Sequence, residues 1–334
     1  MRVLSIPMRT RFRGITVREV VLLEGAAGWG EWSPFLEYPA DVAEPWLRCA
    51  EEAAAGDWPE AIRSSVPVNV TIPAVGPERA QAMVMAGGCR TAKVKVAEHR
   101  QTFADDMARV EAVRDALGPD GRVRVDVNGR WSVDDAFARL RELARFGLEY
   151  AEQPCAGVDE LADLRRRLAH AGVDVLIAAD ESIRRSGDPE RVVAAKAADV
   201  AVLKVQPLGG VRRCLELAER LGLPVVVSSA IESSVGLRAG LALAAALPEL
   251  PYACGLNTSA LLTADVVDEP LVAVDGEIAV RDVVVNESGG WQADAATTAR
   301  WHERVAPLAG FAGTGGRLRD SASTAPPGAS EEDE

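Results

Sequence analysis

Residues 123–128 read VRVDVN, and their side chains alternate: Val123, Val125 and Val127 face one way, Arg124, Asp126 and Asn128 the other. In a half-buried strand such a polar face is solvated. The neighbouring segments argue against that here. TAKVKV (91–96), LEYAEQP (148–154), VLIAADE (175–181) and VAVLKV (200–205) each carry a charged residue at or near the end of an apolar run. A polar face shared by so many strands needs a common interior to point into.

VPVNVTI (66–72), PVVVSS (224–229) and YACGL (252–256) extend the series. The eight segments start at residues 66, 91, 123, 148, 175, 200, 224 and 252, which lie 24 to 32 residues apart. That is the length of one strand and one helix. Amphipathic stretches such as FADDMARVEAVRDAL (103–117) and VDDAFARLRELARF (133–146) fill the gaps. Repeated β/α units predict an α/β protein built on a (β/α)8-type barrel. A doubly wound open sheet competes with it, but no GxGxxG or P-loop follows the first strand.

Ahead of the barrel, β-forming runs at Ile15, Val17 and Val20 to Leu23, followed by GWGEWSPF (28–35), predict a small antiparallel sheet. Residues 41–56 predict a helix with Asp41 near its N-cap. After Ala264, LVAVDGEIAVRDVVVN (271–286) sets Asp275-Gly276 between two alternating runs, a hairpin signal, and this segment is expected to rejoin the N-terminal sheet. The expected division is a cap from 1–63 and 267–312, a barrel from 64–266, and a Gly/Ser/Pro-rich acidic tail, 313–334, read as disordered.

The balance of 37 basic against 50 acidic residues gives a net charge of −13. Neither a nucleic-acid backbone nor an anionic membrane attracts such a surface. Aromatic residues, at 5%, are too sparse for base stacking. The five cysteines, Cys49, Cys89, Cys155, Cys214 and Cys254, show no CxxC spacing and read as reduced thiols in a cytoplasm. The N-terminus lacks the apolar core of a signal peptide, and no apolar run reaches membrane-spanning length. The residues leave the oligomeric state open, a monomer being favoured.

In a barrel the active site lies at the C-terminal ends of the strands. There the chain offers Lys93 and Lys95, then Asp126 and Asn128, Glu152, Asp180 and Glu181, Lys204, and Ser228 and Ser229. Taken singly, Asp180 reads as a helix N-cap, Glu152 as the partner of an arginine, and Asp126 as bridged to Arg124 or Lys95. Jointly, Asp126, Glu152 and Asp180 on successive strands suit one divalent cation in an all-oxygen site, Mg²⁺ before others, with Mn²⁺ expected to substitute. Lys93, Lys204 and the metal would lower the pKa of Lys95, making it a base for a proton next to a metal-bound carboxylate. Lysines merely paired with the acids are the structural alternative, and a Schiff-base role stays open for Lys204. His99, His170 and His302 occupy no strand end from which to activate Ser228 or a cysteine.

These residues resemble the enolase superfamily, in its muconate-lactonizing subgroup. The resemblance rests on GWGE (28–31), Lys93-Val94-Lys95, Asp126 to Asn128, Glu152-Gln153-Pro154, Asp180-Glu181-Ser182 and Lys204. VRVDVNGRW (123–131), LKVQPLGG (203–210) and SSAIESSVG (228–236) are similar to the actinobacterial o-succinylbenzoate synthase family. The resemblance implies a modified TIM barrel, (β/α)7β-like, and a hydro-lyase of menaquinone biosynthesis acting on a small-molecule carboxylate. It would dehydrate 2-succinyl-6-hydroxy-2,4-cyclohexadiene-1-carboxylate to 2-succinylbenzoate. By the same resemblance Lys95 is the base and acid of a syn elimination, and Lys204 steadies the anion from the opposite face. Arg124 and Asn128 are orienting groups, and Lys93 supports the site. Gly209, Gly210, Ser228 and Ser229 are expected at the succinyl end, under a loop at Phe35 to Tyr38. Two opposed lysines also suit an N-succinylamino acid racemase or a dipeptide epimerase. The eighth strand end, CGLNTSALL (254–262), lacks the DxD expected of the epimerases. A non-catalytic binding barrel would be expected to have lost a ligand or the base, and none is lost.

Overall fold

The computed structural model describes residues 1–185 and 189–308; the acidic tail from Gly313 lies outside the described residues. The chain opens with an antiparallel sheet of β1 (Arg2–Phe12), β2 (Ile15–Gly25) and β3 (Gly28–Trp32). Arg13 and Gly14, both with positive φ, make the two-residue turn between β1 and β2. Helix α1 (Ala40–Ala55) holds Asp41 in its first turn and ends at Gly56 in the left-handed region. It packs on β3 so closely that a Cβ on Gly30 would stand 1.8 Å from the Ala50 carbonyl oxygen. The glycine in GWGE is therefore a close-packing residue.

The predicted first barrel strand is split into β4 (Ser65–Pro67) and β5 (Val70–Ile72). Helix α2 (Pro77–Gly87), β6 (Thr91–Lys95), α3 (Phe103–Leu117), β7 (Arg122–Asp126), α4 (Val133–Leu143), β8 (Leu148–Glu152), α5 (Val158–His170) and β9 (Leu176–Ala179) follow in strict alternation. Two single turns, α6 (Glu181–Arg184) and α7 (Arg191–Ala194), precede β10 (Val200–Lys204). Then come α8 (Val205–Leu208), α9 (Val211–Leu221), β11 (Val225–Ser228) and α10 (Ser234–Ala246). Strands β5 to β11 form one parallel sheet in sequence order. Capping boxes start the helices where the sequence supplies them, as at Thr102 with Asp105.

The eighth strand forms only as bridges, yet it closes the barrel. Cys254 donates its N–H to Pro67 O at 2.7 Å and accepts from Asn69 N at 2.9 Å. Gly255 donates to Val227 O at 2.8 Å, and Ser229 donates back to Gly255 O at 3.1 Å. A short turn at Ser259–Leu261 replaces an eighth helix, so the architecture is the (β/α)7β form.

The valines of VRVDVN pack outward against helix residues such as Val110, Val113, Leu140 and Leu143. Tyr150, Ala178, Val200, Val202 and Val226 form a separate plug inside the barrel. A further core joins the N-terminal sheet to α1 and to α11 (Ala295–Val305), where Trp32 and Trp301 meet edge to face at 5.2 Å. Each of these fully buried indoles contributes on the order of 3 kcal/mol.

The hairpin expected at Asp275-Gly276 needs correcting. Its turn forms, with Val274 bridged to Glu277, but β12 (Glu277–Ala279) pairs antiparallel with β4 and not with the N-terminal sheet. The return to that sheet comes later, through the Leu4–Gln292 bridge and the Ser5 N–H on Trp291 O at 2.8 Å. Strand β4 takes β12 at the barrel's N-terminal end, where the Val68 N–H also donates to Gly276 O at 2.8 Å. Among the described residues, no helix is long and apolar enough to cross a membrane.

One buried carboxyl joins cap to barrel. Glu31, at the end of GWGE, accepts the Ser33 hydroxyl at 2.6 Å, the N–H groups of Ser233 at 3.0 Å and Gly236 at 3.2 Å, and the Ser233 hydroxyl. It thus terminates the N-terminal end of α10. Burial outweighs these hydrogen bonds and pushes the Glu31 carboxyl up to about 7.

Two outcomes follow. Gly30→Ala should cost about 3 kcal/mol or more in urea unfolding, because the added methyl meets backbone and not a movable side chain; a loss under about 1 kcal/mol would refute the close packing. A carboxyl raised from 4.5 to about 7 on folding binds more protons in the native state, so stability falls as pH rises through that window. Stability of Glu31→Gln relative to the parent should therefore improve by about 2–3 kcal/mol between about pH 5 and pH 7.5. A pH-independent difference between the two proteins would count against it.

Candidate active site

Strand register gathers the polar series. Lys95 lies opposite Asp126, and Asp126 opposite Glu152. Glu152 faces Ala178, two residues short of Asp180, and Lys204 lies opposite Ser228. Alternation then turns these side chains inward above the apolar plug.

The Lys93 ammonium is 3.0 Å from both oxygens of Glu152 and 3.4 Å from Asp126 Oδ2. Lys95 Nζ is 2.6 Å from the same Asp126 oxygen and 2.6 Å from Asn128 Oδ1. Across the site, Lys204 Nζ is 2.5 Å from Asp180 Oδ2, whose partner oxygen accepts Arg184 Nε at 2.7 Å. Arg184 also bonds Glu181 at 2.6 Å, and Asn128 donates to that carboxylate at 3.3 Å. Asp180 stands at the N-cap position of α6, but its side chain makes no capping hydrogen bond and is held by Lys204 and Arg184 instead.

Burial alone would raise Asp126, but the charges of Lys95 and Lys93 outweigh it and hold the acid down to about 2. Asp180 is likewise carried well below the usual carboxylate range, against burial, by Arg184 and Lys204. Glu152 goes the other way: burial and then Asp126 push it up to about 7, despite Lys93. Lys93 resists the lowering that burial exerts and is raised by Glu152 and Asp126.

The local backbone is shaped to this end. Ala97, Asn128 and Gln153 have φ of 59°, 53° and 41°, so the chain turns sharply just beyond Lys95, Asp126 and Glu152. Gln153 Oε1 accepts the N–H groups of Asp180 at 3.0 Å and Ser182 at 3.1 Å, tying one strand end to the next. On α3, Arg109 donates to Lys95 O at 2.8 Å while Asp106 accepts Ala97 N–H at 2.9 Å. These two buried side chains clamp the main chain on both sides of Val96.

The cavity above, about 190 Å³, has Lys93, Lys95, Asp126, Asn128 and Lys204 in its floor. Ser228 and Ser229 line one wall. The roof brings Phe12, Arg13, Phe35 and Tyr38 from the cap. Arg13 and Arg185 both donate to the Tyr38 hydroxyl, at 2.7 and 3.0 Å. Sequence reading missed Arg184, Arg13 and Arg185. Arg184 carried a signal, standing three and four residues after Glu181 and Asp180 at helical spacing; the other two meet the site only through the tertiary fold.

Three expected positions lie elsewhere. Arg124 points toward the barrel's other end, where Glu149 at 2.5 Å and Ala253 O at 2.7 Å accept its hydrogen bonds beside the Tyr150 ring. Gly209 and Gly210 face α1, not the cavity: a Cβ on Gly210 would stand 2.6 Å from Glu52 Oε2, the carboxylate that accepts the Val211 and Arg212 N–H groups. Those glycines admit the cap helix to the N-terminal end of α9.

The donor set suits a hard divalent cation. Asp126, Glu152 and Asp180 offer only oxygen and are fully buried, and that burial, joined by the charges of Asp126 and Asp180, lifts Glu152. With the lysines interposed, these acids do not converge as a ligand cluster among the described residues. Lys93, in touch with two of them, marks where positive charge is required. Lys93, Lys95, Lys204 and Arg184 balance Asp126, Glu152, Asp180 and Glu181. A divalent cation would add two positive charges to that balance, to be met by an anionic ligand.

Comparison with known proteins agrees with the geometry. Residues 3–54 match the enolase N-terminal domain-like family and residues 77–284 the enolase C-terminal domain-like family. The chain is 63% identical over 313 residues to an o-succinylbenzoate synthase of Thermobifida fusca, covering 90% of this chain and 97% of that one. It is 56% identical over 286 residues to the enzyme of that name from Mycolicibacterium smegmatis, covering 85% and 86%. Among solved structures, 2-chloromuconate cycloisomerase from Rhodococcus opacus 1CP superposes with a TM-score of 0.74 at 23% identity, covering 88% of this chain and 98% of that one. With both halves of the fold and the near relatives in agreement, the chain belongs to the enolase superfamily and, within it, to the o-succinylbenzoate synthase family.

Proposed function

We propose that this chain is a hydro-lyase that dehydrates 2-succinyl-6-hydroxy-2,4-cyclohexadiene-1-carboxylate to 2-succinylbenzoate, a step of menaquinone biosynthesis. The observation that carries the reading is the opposed lysine pair, Lys95 against Asp126 and Lys204 against Asp180, in a chain so similar to o-succinylbenzoate synthases. Members of the superfamily use a divalent metal, typically Mg²⁺. Asp126, Glu152 and Asp180 are the residues to hold it, with Mn²⁺ as a substitute. A cation held by them would supply positive charge beside the reacting carboxylate, which would acidify the adjacent C–H.

Lys95 in its neutral form accepts that proton, the C–H electron pair moves onto the ring carboxylate, and Asn128 and Asp126 hold the ammonium so formed. The electrons then return to form the ring double bond as the C–O bond breaks, and the Lys95 proton leaves with the hydroxyl as water. Lys204 stabilises the anion by charge from the other side. Phe12, Phe35 and Tyr38 exclude water above the ring. Ser228 and Ser229 are proposed for the succinyl end. A cytoplasmic setting is supported by five unpaired, buried cysteines.

Racemisation of N-succinylamino acids is the second reading, because both lysines line the same cavity. Lys95→Ala should lose at least about 10³-fold in dehydration rate while its circular dichroism and unfolding midpoint stay those of a folded protein; near-full turnover would remove Lys95 from the reaction. Chelation with EDTA should abolish turnover, Mg²⁺ or Mn²⁺ should restore it, and Glu152→Gln should weaken calorimetric Mg²⁺ binding at least about tenfold. Unaltered activity after chelation would make the carboxylates structural. Deuterium exchange into N-succinylamino acids outpacing dehydration would instead select the racemase.

A further inference from the structure

Arg18, on β2, is a buried cation that forms no ion pair among the described residues and does not line the cavity. Its hydrogen bonds go to main-chain carbonyls. Nε donates to Ile231 O at 2.9 Å, and one terminal nitrogen donates to Ala230 O at 3.2 Å and to Ser33 O. The guanidinium stacks on Phe35 with its carbon 4.6 Å from the ring centroid. These contacts belong to two walls of one cavity: Phe35 from the cap, and Ala230 and Ile231 from the loop after β11.

Ile231 has φ of 65°, in the left-handed region. A β-branched residue there is strained and persists only when its surroundings over-determine it. The determinants are visible: Arg18 holds the carbonyls of Ala230 and Ile231, and Glu232 accepts the Ala230 N–H at 2.7 Å. A lysine would offer a point charge where a planar fork now reaches carbonyls in different directions.

We propose that Arg18 is a positioning residue for the active site: one guanidinium joins the cap loop at Ser33 and Phe35 to the barrel loop at Ala230 and Ile231, holding Ile231 in a strained conformation that shapes the substrate cavity. Its kinetic consequence rests on the dehydration reading above. Arg18 touches none of the residues assigned to proton transfer or the metal, so its loss acts on substrate binding. Without it the two carbonyls lose a buried donor, Ile231 relaxes, and the wall moves.

A double-mutant cycle tests this. Arg18→Met should raise KM about tenfold or more while kcat stays within about threefold. Glycine adopts the left-handed conformation without strain. In an Ile231→Gly background the Arg18→Met effect on KM should therefore shrink to about threefold or less. Independently of turnover, hydrogen exchange at residues 229–233 should accelerate in Arg18→Met and not at the ends of β6 and β7. If Arg18→Met does not fold, Arg18→Lys carries the same cycle with the same expectations. Equal KM effects in both backgrounds, kinetics within twofold of the parent, or exchange unchanged in the loop would overturn the proposal. A parent protein inert toward the cyclohexadiene substrate would refute the dehydration reading instead, and the exchange measurement would still decide the role of Arg18.

Discussion

The contact between the Lys93 ammonium and the Glu152 and Asp126 carboxylates sets the terms for the rest of the barrel. All three groups are buried, and a lone buried charge costs several kcal/mol. No strand could therefore carry its charge into this interior without a neighbour carrying the opposite one. Lys95 on Asp126 and Lys204 with Arg184 on Asp180 repeat the arrangement around the site. Such pairs add little net stability compared with an apolar core of the same volume. They are explained by charge balance: each acid or base that a strand turns inward is met by an opposite charge from a neighbouring strand or turn.

The same constraint explains why so much was legible in advance. A charge at the inward-facing end of an apolar strand is rare, and five strands with that feature at β/α spacing leave few architectures. Asp126, Glu152, Asp180, Lys93, Lys95 and Lys204 were readable because strand periodicity fixes which face a residue takes. Asn128 followed from the same alternation, although its own φ is left-handed and it no longer belongs to the strand.

Sequence reading failed where periodicity had stopped or where it fixed the face of a strand but not the depth. Arg124 is on the correct face of β7 but one layer too deep, since two residues move a side chain about 7 Å along the strand. Gly209 and Gly210 lie past the end of β10, and small size marks a close approach without saying of what; the partner proved to be α1. The hairpin at Asp275-Gly276 had a correct turn and a wrong neighbour, because a turn signal is local and the choice of edge is not. Tyr38 was expected over the site, but Arg13 and Arg185 reach it only through the tertiary fold, which no short-range pattern encodes.

The left-handed residues link these observations. Ala97, Asn128, Gln153 and Ile231 follow β6, β7, β8 and β11, and side-chain hydrogen bonds tie each of these turns to a neighbouring segment. Arg109 and Asp106 hold the chain at Ala97, Gln153 anchors the next strand end through its own amide, and Arg18 with Glu232 holds Ile231. A strand that ran straight on would carry its functional side chain and its successor away from the axis. Turning the backbone at once after that side chain brings the loop over the barrel mouth, at a conformational cost of order 1 kcal/mol or more per residue. The barrel's parallel ladder fixes where each functional group starts; these turns, and the buried polar side chains that hold them, fix how the cavity closes around it.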